Sequence, residues 1–108
     1  MSSNRWKTLE RTTANILGGE RVTESWTLFN TRPDVLVPLP NDRRMVCECK
    51  AYKRFSHHKL IETCQAKYCT GNDVPALITK HAGQHGEYIT LPLQFVSELL
   101  KTKKDQNT

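Results

Sequence analysis

A five-residue turn between two strand-type segments constrains the fold of this chain more than any other feature. Residues 38–42, with the sequence PLPND, separate the short β-type run 34–37 from the longer segment 44–51. Prolines and an Asn-Asp pair favour a turn and interrupt strands. Because so short a connection joins antiparallel neighbours, the two segments are predicted to form a β-hairpin. The start of the first strand then lies beside the end of the second.

The segment that follows the hairpin predicts a parallel strand. Ser56 is suited to cap a helix that runs to about Thr70, and Gly71 is suited to end it. The apolar residues 74–79 then form a buried strand. A strand entered through a helical crossover is expected to pair in parallel with the strand before the helix, here residues 44–51.

The remaining segments complete an α/β domain. We expect a first helix over residues 5–17, a short strand over 20–24, an edge strand over 87–91 and a last helix over 92–101. Helical spacing places one apolar stripe on the first helix: Trp6, Leu9, Thr13, Ile16 and Leu17. The prediction is a single domain over residues 1–108, with a mixed central sheet flanked by helices and a disordered tail at 101–108.

Charge and hydropathy suggest the partner and the compartment. The chain has a net charge of +5 and a pI near 9.2, which favours a polyanion such as nucleic acid. Basic residues are dense between residues 43 and 59, although a solvated basic face is the alternative interpretation. No apolar run approaches 18 residues and no signal-peptide core follows Met1, so neither a membrane partner nor export is expected. The expectation is an intracellular, cytoplasmic protein of a cell or of a virus acting in its host.

The four cysteines are interpreted as buried apolar residues. Cys47 and Cys49 share one face of a strand, opposite Glu48 and Lys50. Their spacing differs from the usual zinc-binding pattern, although a zinc site built from all four cysteines is the alternative.

Acidic residues at the open end of the hairpin, opposite the turn, suggest a reaction. Asp34 precedes the first strand, and after thirteen intervening residues Glu48 and Lys50 occupy one face of the second. Carboxylate oxygens suit Mg²⁺, and a lysine beside an attacked phosphate suits metal-assisted phosphodiester hydrolysis. Glu10 lies within the apolar stripe of the first helix and becomes a candidate for the same site. Its alternative is an ion pair with Arg11 or Arg21.

This arrangement resembles the PD-(D/E)xK nuclease superfamily and, within it, the archaeal-type Holliday junction resolvases. Four features carry the resemblance: Leu9-Glu10-Arg11, Gly19 with the strand ending at Ser25, the run from Pro33 to Val37, and the run from Val46 to Lys50. The resemblance covers roughly residues 5–80 and implies a restriction-endonuclease-like αβββαβ core.

The resemblance also implies a function in DNA recombination and repair. Glu10, Asp34 and Glu48 would bind Mg²⁺, with Mn²⁺ as a substitute, Lys50 would orient the water, and Ser25 would assist from a loop. The implied enzyme is a homodimer that cuts four-way junction DNA by paired nicks and uses no organic cofactor. The residues expected to contact DNA are basic or polar: Arg11, Arg21, Lys53, Arg54, His57, His58, Lys59 and Gln65. Another small nuclease of this superfamily, VRR-type or restriction-like, and a non-catalytic DNA-binding module are the alternatives.

Overall fold

The computed structural model describes residues 5–24 and 31–106. Three helices and five strands follow one another along the chain: α1 (Arg5–Leu17), β1 (Glu20–Arg21), β2 (Val35–Pro38), β3 (Arg44–Lys50), α2 (His57–Tyr68), β4 (Val74–Thr79), β5 (Tyr88–Thr90) and α3 (Leu93–Gln106). The predicted order of elements is confirmed. No helix in the described ranges is long and apolar enough to cross a membrane.

The five strands form one mixed sheet in the order β1-β2-β3-β4-β5. The predicted hairpin is confirmed: β2 and β3 are antiparallel, with Val35 opposite Cys47. β3 and β4 are parallel, with Cys47 opposite Ala76, as expected for strands joined through α2. The chain is therefore an α/β protein, and the carboxyl end of β3 adjoins the beginning of β2.

Helices cover both faces of the sheet. On one face, Cys47 and Cys49 pack in a core with Leu9 of α1 and Phe95 of α3. On the other, α2 contributes Cys64 and Tyr68 to a smaller cluster with Val46. The period-two alternation of β3 divides its side chains between these clusters, as predicted for the cysteines. All four cysteines are free thiols.

Two glycines set the path from α1 into the sheet. Gly18 has a φ of 69°, the left-handed conformation that commonly ends a helix. A Cβ atom on Gly19 would lie 2.5 Å from the backbone oxygen of Leu36, so only glycine fits this approach to β2. The two residues position α1 directly over the hairpin.

The extent of the buried stripe on α1 and the bounds of two elements differ from the prediction. Trp6 and Ile16 are 42% and 71% exposed, because only the central part of the α1 stripe contacts the sheet. β1 has two residues instead of five. Helix α3 continues to Gln106, five positions beyond its predicted end, so residues 101–106 are not a disordered tail. This segment contains no glycine or proline, and its lysines favour helix.

Candidate active site

A cleft with a volume of about 620 Å³ opens where β2 begins and β3 ends. Glu10, Asp34, Glu48 and Lys50 all line it. We call it the acidic cleft. The remaining lining residues come from α1, the β2 and β3 ends and α2: Trp6, Thr31, Arg32, Cys49, Ala51, Tyr52 and Tyr68. Four of the five residues predicted as catalytic therefore share one cavity.

Asp34 is fixed by the backbone of β3. Its amide donates to the carbonyl oxygen of Cys47 at 3.0 Å. Its Oδ2 accepts a hydrogen bond from the backbone amide of Cys49 at 2.7 Å. Burial raises the pKa of Asp34, and the Cys49 amide and the other favourable neighbours offset only part of that effect. The sheet therefore positions a carboxyl group that is more basic than an ordinary aspartate.

Glu10 reaches the acidic cleft from α1 and is 5% exposed. Its Oε1 lies 3.1 Å from Nη2 of Arg21 and accepts a hydrogen bond from Nε at 3.2 Å. Burial and then the charge of Asp34 raise the pKa of Glu10, and Arg21 lowers it by less. The protonation of each of these two carboxyl groups therefore depends on the other. Glu10 thus both pairs with Arg21 and lies beside Asp34.

Glu48 and Lys50 form an ion pair on the same face of β3. Glu48 Oε2 lies 3.5 Å from Lys50 Nζ, and the Glu48 side chain is 15% exposed. Burial, followed by the charge of Asp34, raises the pKa of Glu48 to about 7, although Lys50 lowers it. Burial lowers the pKa of Lys50, but Glu48, then Tyr52 and Asp34, raise it by more. Two carboxyl groups of raised pKa, those of Glu48 and Asp34, therefore act on one cationic amine.

The donor atoms in the cleft suit a hard divalent cation, but their arrangement is that of ion pairs. Carboxylate oxygens are the protein ligands that Mg²⁺ prefers. Within residues 5–24 and 31–106, no three His, Cys, Asp or Glu side chains are placed to hold a metal ion. Glu10 faces Arg21 and Glu48 faces Lys50 instead. A cation in this cleft would therefore have to compete with both basic side chains.

The residues predicted to contact DNA come from α1, β1, the β3–α2 connection and α2. Those on the β3–α2 connection and on α2 are exposed: Lys53, Arg54, His57, His58, Lys59 and Gln65. His58 pairs with Glu62 at 2.9 Å and its side chain is 89% exposed. Arg11 is exposed on α1, whereas Arg21 is occupied by Glu10. Ser25, the fifth predicted catalytic residue, lies outside the described residues.

Three aromatic side chains also line the cleft, and the sequence did not predict any of them to lie there. Tyr68 packs in the smaller core cluster and is 8% exposed, yet it also borders the cleft from α2. Trp6 lies a turn before Leu9, the first residue of α1 in the core, and projects into the cleft. Tyr52 lies two residues after Lys50, and this proximity in sequence was the one indication that it could border the cleft.

Comparisons with known proteins identified no relative of this chain. No protein-family model matches the chain, and no curated protein or solved structure is significantly similar to it. Functional inference therefore depends on the geometry of the acidic cleft.

Proposed function

We propose that the protein is a metal-dependent endonuclease that resolves four-way DNA junctions by paired nicks. The observation that carries the proposal is the convergence of Glu10, Asp34, Glu48 and Lys50 on one cleft. Glu10 and Lys50 are 40 positions apart in the sequence and come from different elements. Three carboxyl groups and a lysine in one water-accessible cavity are the groups that phosphodiester hydrolysis needs. Their setting on a mixed sheet with flanking helices is compatible with a restriction-endonuclease-like core.

In this proposal Asp34 and Glu48 would hold the metal ion and Glu10 would complete the set of ligands. Mg²⁺, or Mn²⁺ in its place, would supply Lewis-acid polarisation of the scissile phosphate. Asp34 is a preorganised ligand because the Cys49 amide fixes its carboxyl group. Glu48 would turn away from Lys50, and Glu10 away from Arg21. Lys50, released from Glu48, would donate to the attacking water or to a phosphate oxygen and neutralise developing charge.

The basic segment that follows the cleft residue Tyr52 suits a DNA backbone. Lys53, Arg54 and Lys59 are exposed on the connection that leaves β3 and at the start of α2. Their ammonium and guanidinium groups would pair with phosphates on either side of the cut. Non-specific contacts of this kind position a strand without reading its sequence. Selection of branched DNA then has to come from other contacts or from the shape of the complex.

An exposed apolar face on α3 supports the homodimer that resolution of a junction requires. Leu93, Leu99 and Leu100 are 82%, 43% and 63% exposed. Two copies joined there would present two acidic clefts to opposed strands. Leu100→Lys should shift the protein from dimer to monomer in sedimentation-velocity experiments. It should convert paired cuts into single nicks, whereas a wild-type protein that is monomeric at assay concentration would contradict this part of the proposal.

Cleavage of synthetic junctions tests the chemistry. Wild-type protein with Mg²⁺ should cut a four-way junction into two nicked duplexes, and a chelator should abolish cutting. Asp34→Asn should lose at least about a hundredfold in rate. The matched control is Asp42→Asn, because Asp42 is exposed in the turn between β2 and β3 and asparagine tolerates its φ of 58°.

The substrate panel separates the remaining alternatives. Faster cutting of flaps or linear duplexes than of junctions would favour another small nuclease of the same superfamily. DNA binding that persists without metal-dependent cleavage of junction, flap or duplex would overturn the nuclease proposal and favour a DNA-binding module.

A further inference from the structure

An exposed tyrosine stands beside the acidic cleft. Tyr52 follows β3 by two residues, lines the cleft and is 52% exposed. The Nζ of Lys50 lies 6.0 Å from the centroid of its ring. The large, partly apolar side chain of Tyr52 is therefore exposed to water beside the residues proposed to bind the scissile phosphate. Neither metal binding nor water activation requires it.

Neighbouring aromatic rings support Tyr52 from behind. Its ring stacks on Phe55, with centroids 5.7 Å apart and planes inclined by 25°. Phe55 in turn receives His81 edge-on at 4.7 Å. The carbonyl oxygen of Tyr52 accepts a hydrogen bond from the backbone amide of Ala82 at 3.0 Å. The ring is therefore held in place before any ligand arrives, which reduces the entropy lost on binding.

Tyr52 and Phe55 form an aromatic platform, and the positive charge around it complements the negative charge of a nucleic-acid strand. Lys53 and Arg54 follow Tyr52 directly and are exposed. A second cleft, of about 440 Å³, contains Lys80 and His81 and shares Ala51 with the acidic cleft. Aromatic faces flanked by cations are the means by which proteins hold unpaired nucleotides, since every base offers a π face. A base inside a continuous duplex is already stacked on both sides and cannot use such a platform.

We infer that Tyr52 stacks on an unpaired base next to the cut and thereby makes the protein select branched or frayed DNA over continuous duplex. This inference rests on the proposed function, because it assigns the substrate preference of that same cleft. It makes Tyr52 a specificity residue that contacts the DNA and takes no part in the chemistry.

Photocrosslinking and affinity measurements test the inference independently of cleavage. Asp34→Asn protein is bound to a four-way junction that carries 5-iododeoxyuridine at the branch point and is irradiated, and the adduct is mapped by mass spectrometry. The adduct should map to Tyr52. In the same background, Tyr52→Ala should reduce the preference for the junction over a duplex of equal length by about tenfold, the effect of one stacked base. Tyr52→Phe should retain the preference.

Tyr88→Ala provides the matched control. Tyr88 is 66% exposed on β5 and lines neither of the two clefts described above. It should leave the junction preference unchanged. Thermal melting of each variant verifies folding, and Tyr52→Leu, which keeps apolar bulk without an aromatic face, substitutes for the alanine variant if that variant melts early.

The outcomes separate this inference from the nuclease proposal. A junction preference that Tyr52→Ala leaves within twofold, or an adduct that maps away from Tyr52, overturns the inference even if cleavage is observed. An adduct on Tyr52 with the expected loss of preference supports it even if the wild-type protein cuts no substrate, in which case only the nuclease proposal fails.

Discussion

The two faces of β3 carry opposite chemistry at adjacent positions. Cys47 and Cys49 are 0% and 4% exposed and pack in the core under α1, although Cys49 also contributes to the cleft wall; Glu48 and Lys50 are less buried and border the acidic cleft. Burial raises the pKa of the Cys47 thiol to about 12, which keeps it neutral and inert. The same effect raises the pKa of Glu48 to about 7, and there it leaves a group that exchanges protons near neutrality. One face therefore stabilises the fold, and the other retains groups that the fold would be more stable without.

The largest effect expected from this comparison is on activity. Glu48→Gln should reduce the rate of metal-dependent junction cleavage by at least about a hundredfold, because it removes a proposed ligand and leaves the shape of the side chain nearly unchanged. Glu20→Gln, on the exposed strand β1, is the control and should cut at the wild-type rate. Initial rates under single-turnover conditions provide the measurement. If Glu48→Gln were within fivefold of wild type, the two faces of β3 would not differ in the proposed way.

The buried face should respond in stability. Cys47→Ala removes a fully buried sulfur from the core and should lower the free energy of unfolding by about 1–2 kcal/mol. Its cleavage rate per folded molecule should remain at the wild-type level, because the side chain does not line the cleft. Urea unfolding measures the change, with the partly exposed Cys69→Ala as the control for a smaller loss. An equal loss in both variants would show that burial on this face contributes little.

The sequence anticipated this division because it follows from local rules. The turn at residues 38–42 fixes the hairpin, and alternation then assigns Glu48 and Lys50 to one face and the cysteines to the other. Asp34 at the start of the hairpin had to lie near the end of β3. The ion pairs could not be predicted in the same way, because they depend on the distance between elements. Sequence periodicity placed Glu10 in a stripe and left its pairing with Arg21 as an alternative.

Residues beyond regular elements were the least predictable. Tyr52 lies on a loop, where side-chain direction follows no period, and its position depends on contacts with Phe55 and Ala82. Trp6 has the helical spacing of a core residue, but α1 extends past the core at that end. Periodicity identifies the side of a helix and does not indicate where its neighbour ends.

A smaller effect tests whether Glu48, on the face of β3 that borders the cleft, lowers the free energy of unfolding. Since the pKa of Glu48 is raised to about 7, the folded state binds its proton more tightly than the unfolded chain does. The stability of the wild-type protein should therefore fall as pH rises between roughly 4.5 and 7. Glu48→Gln lacks this titration and should unfold with a free energy about 1–2 kcal/mol higher at pH 8, because the loss of a partner for Lys50 offsets part of the gain. The difference should vanish at pH 4 in urea titrations, and a less stable variant at pH 8 would contradict it.

The smallest effect concerns Arg21, which competes with the metal ion for Glu10 in the proposed mechanism. The pair joins a buried carboxyl group to a guanidinium group whose side chain is 34% exposed. Arg21→Ala should cost less than about 1 kcal/mol in stability, because the pair is partly solvated and Glu10 can retain a proton. Released from its partner, Glu10 should bind the cation more readily. The Mg²⁺ concentration for half-maximal cleavage at saturating DNA should therefore fall by about threefold, a fraction of 1 kcal/mol. Arg11→Ala, on the exposed side of α1, should leave it unchanged. A higher Mg²⁺ requirement in Arg21→Ala would instead show that Arg21 orients Glu10 for the metal. The ion pair would then be part of the metal-bound active site.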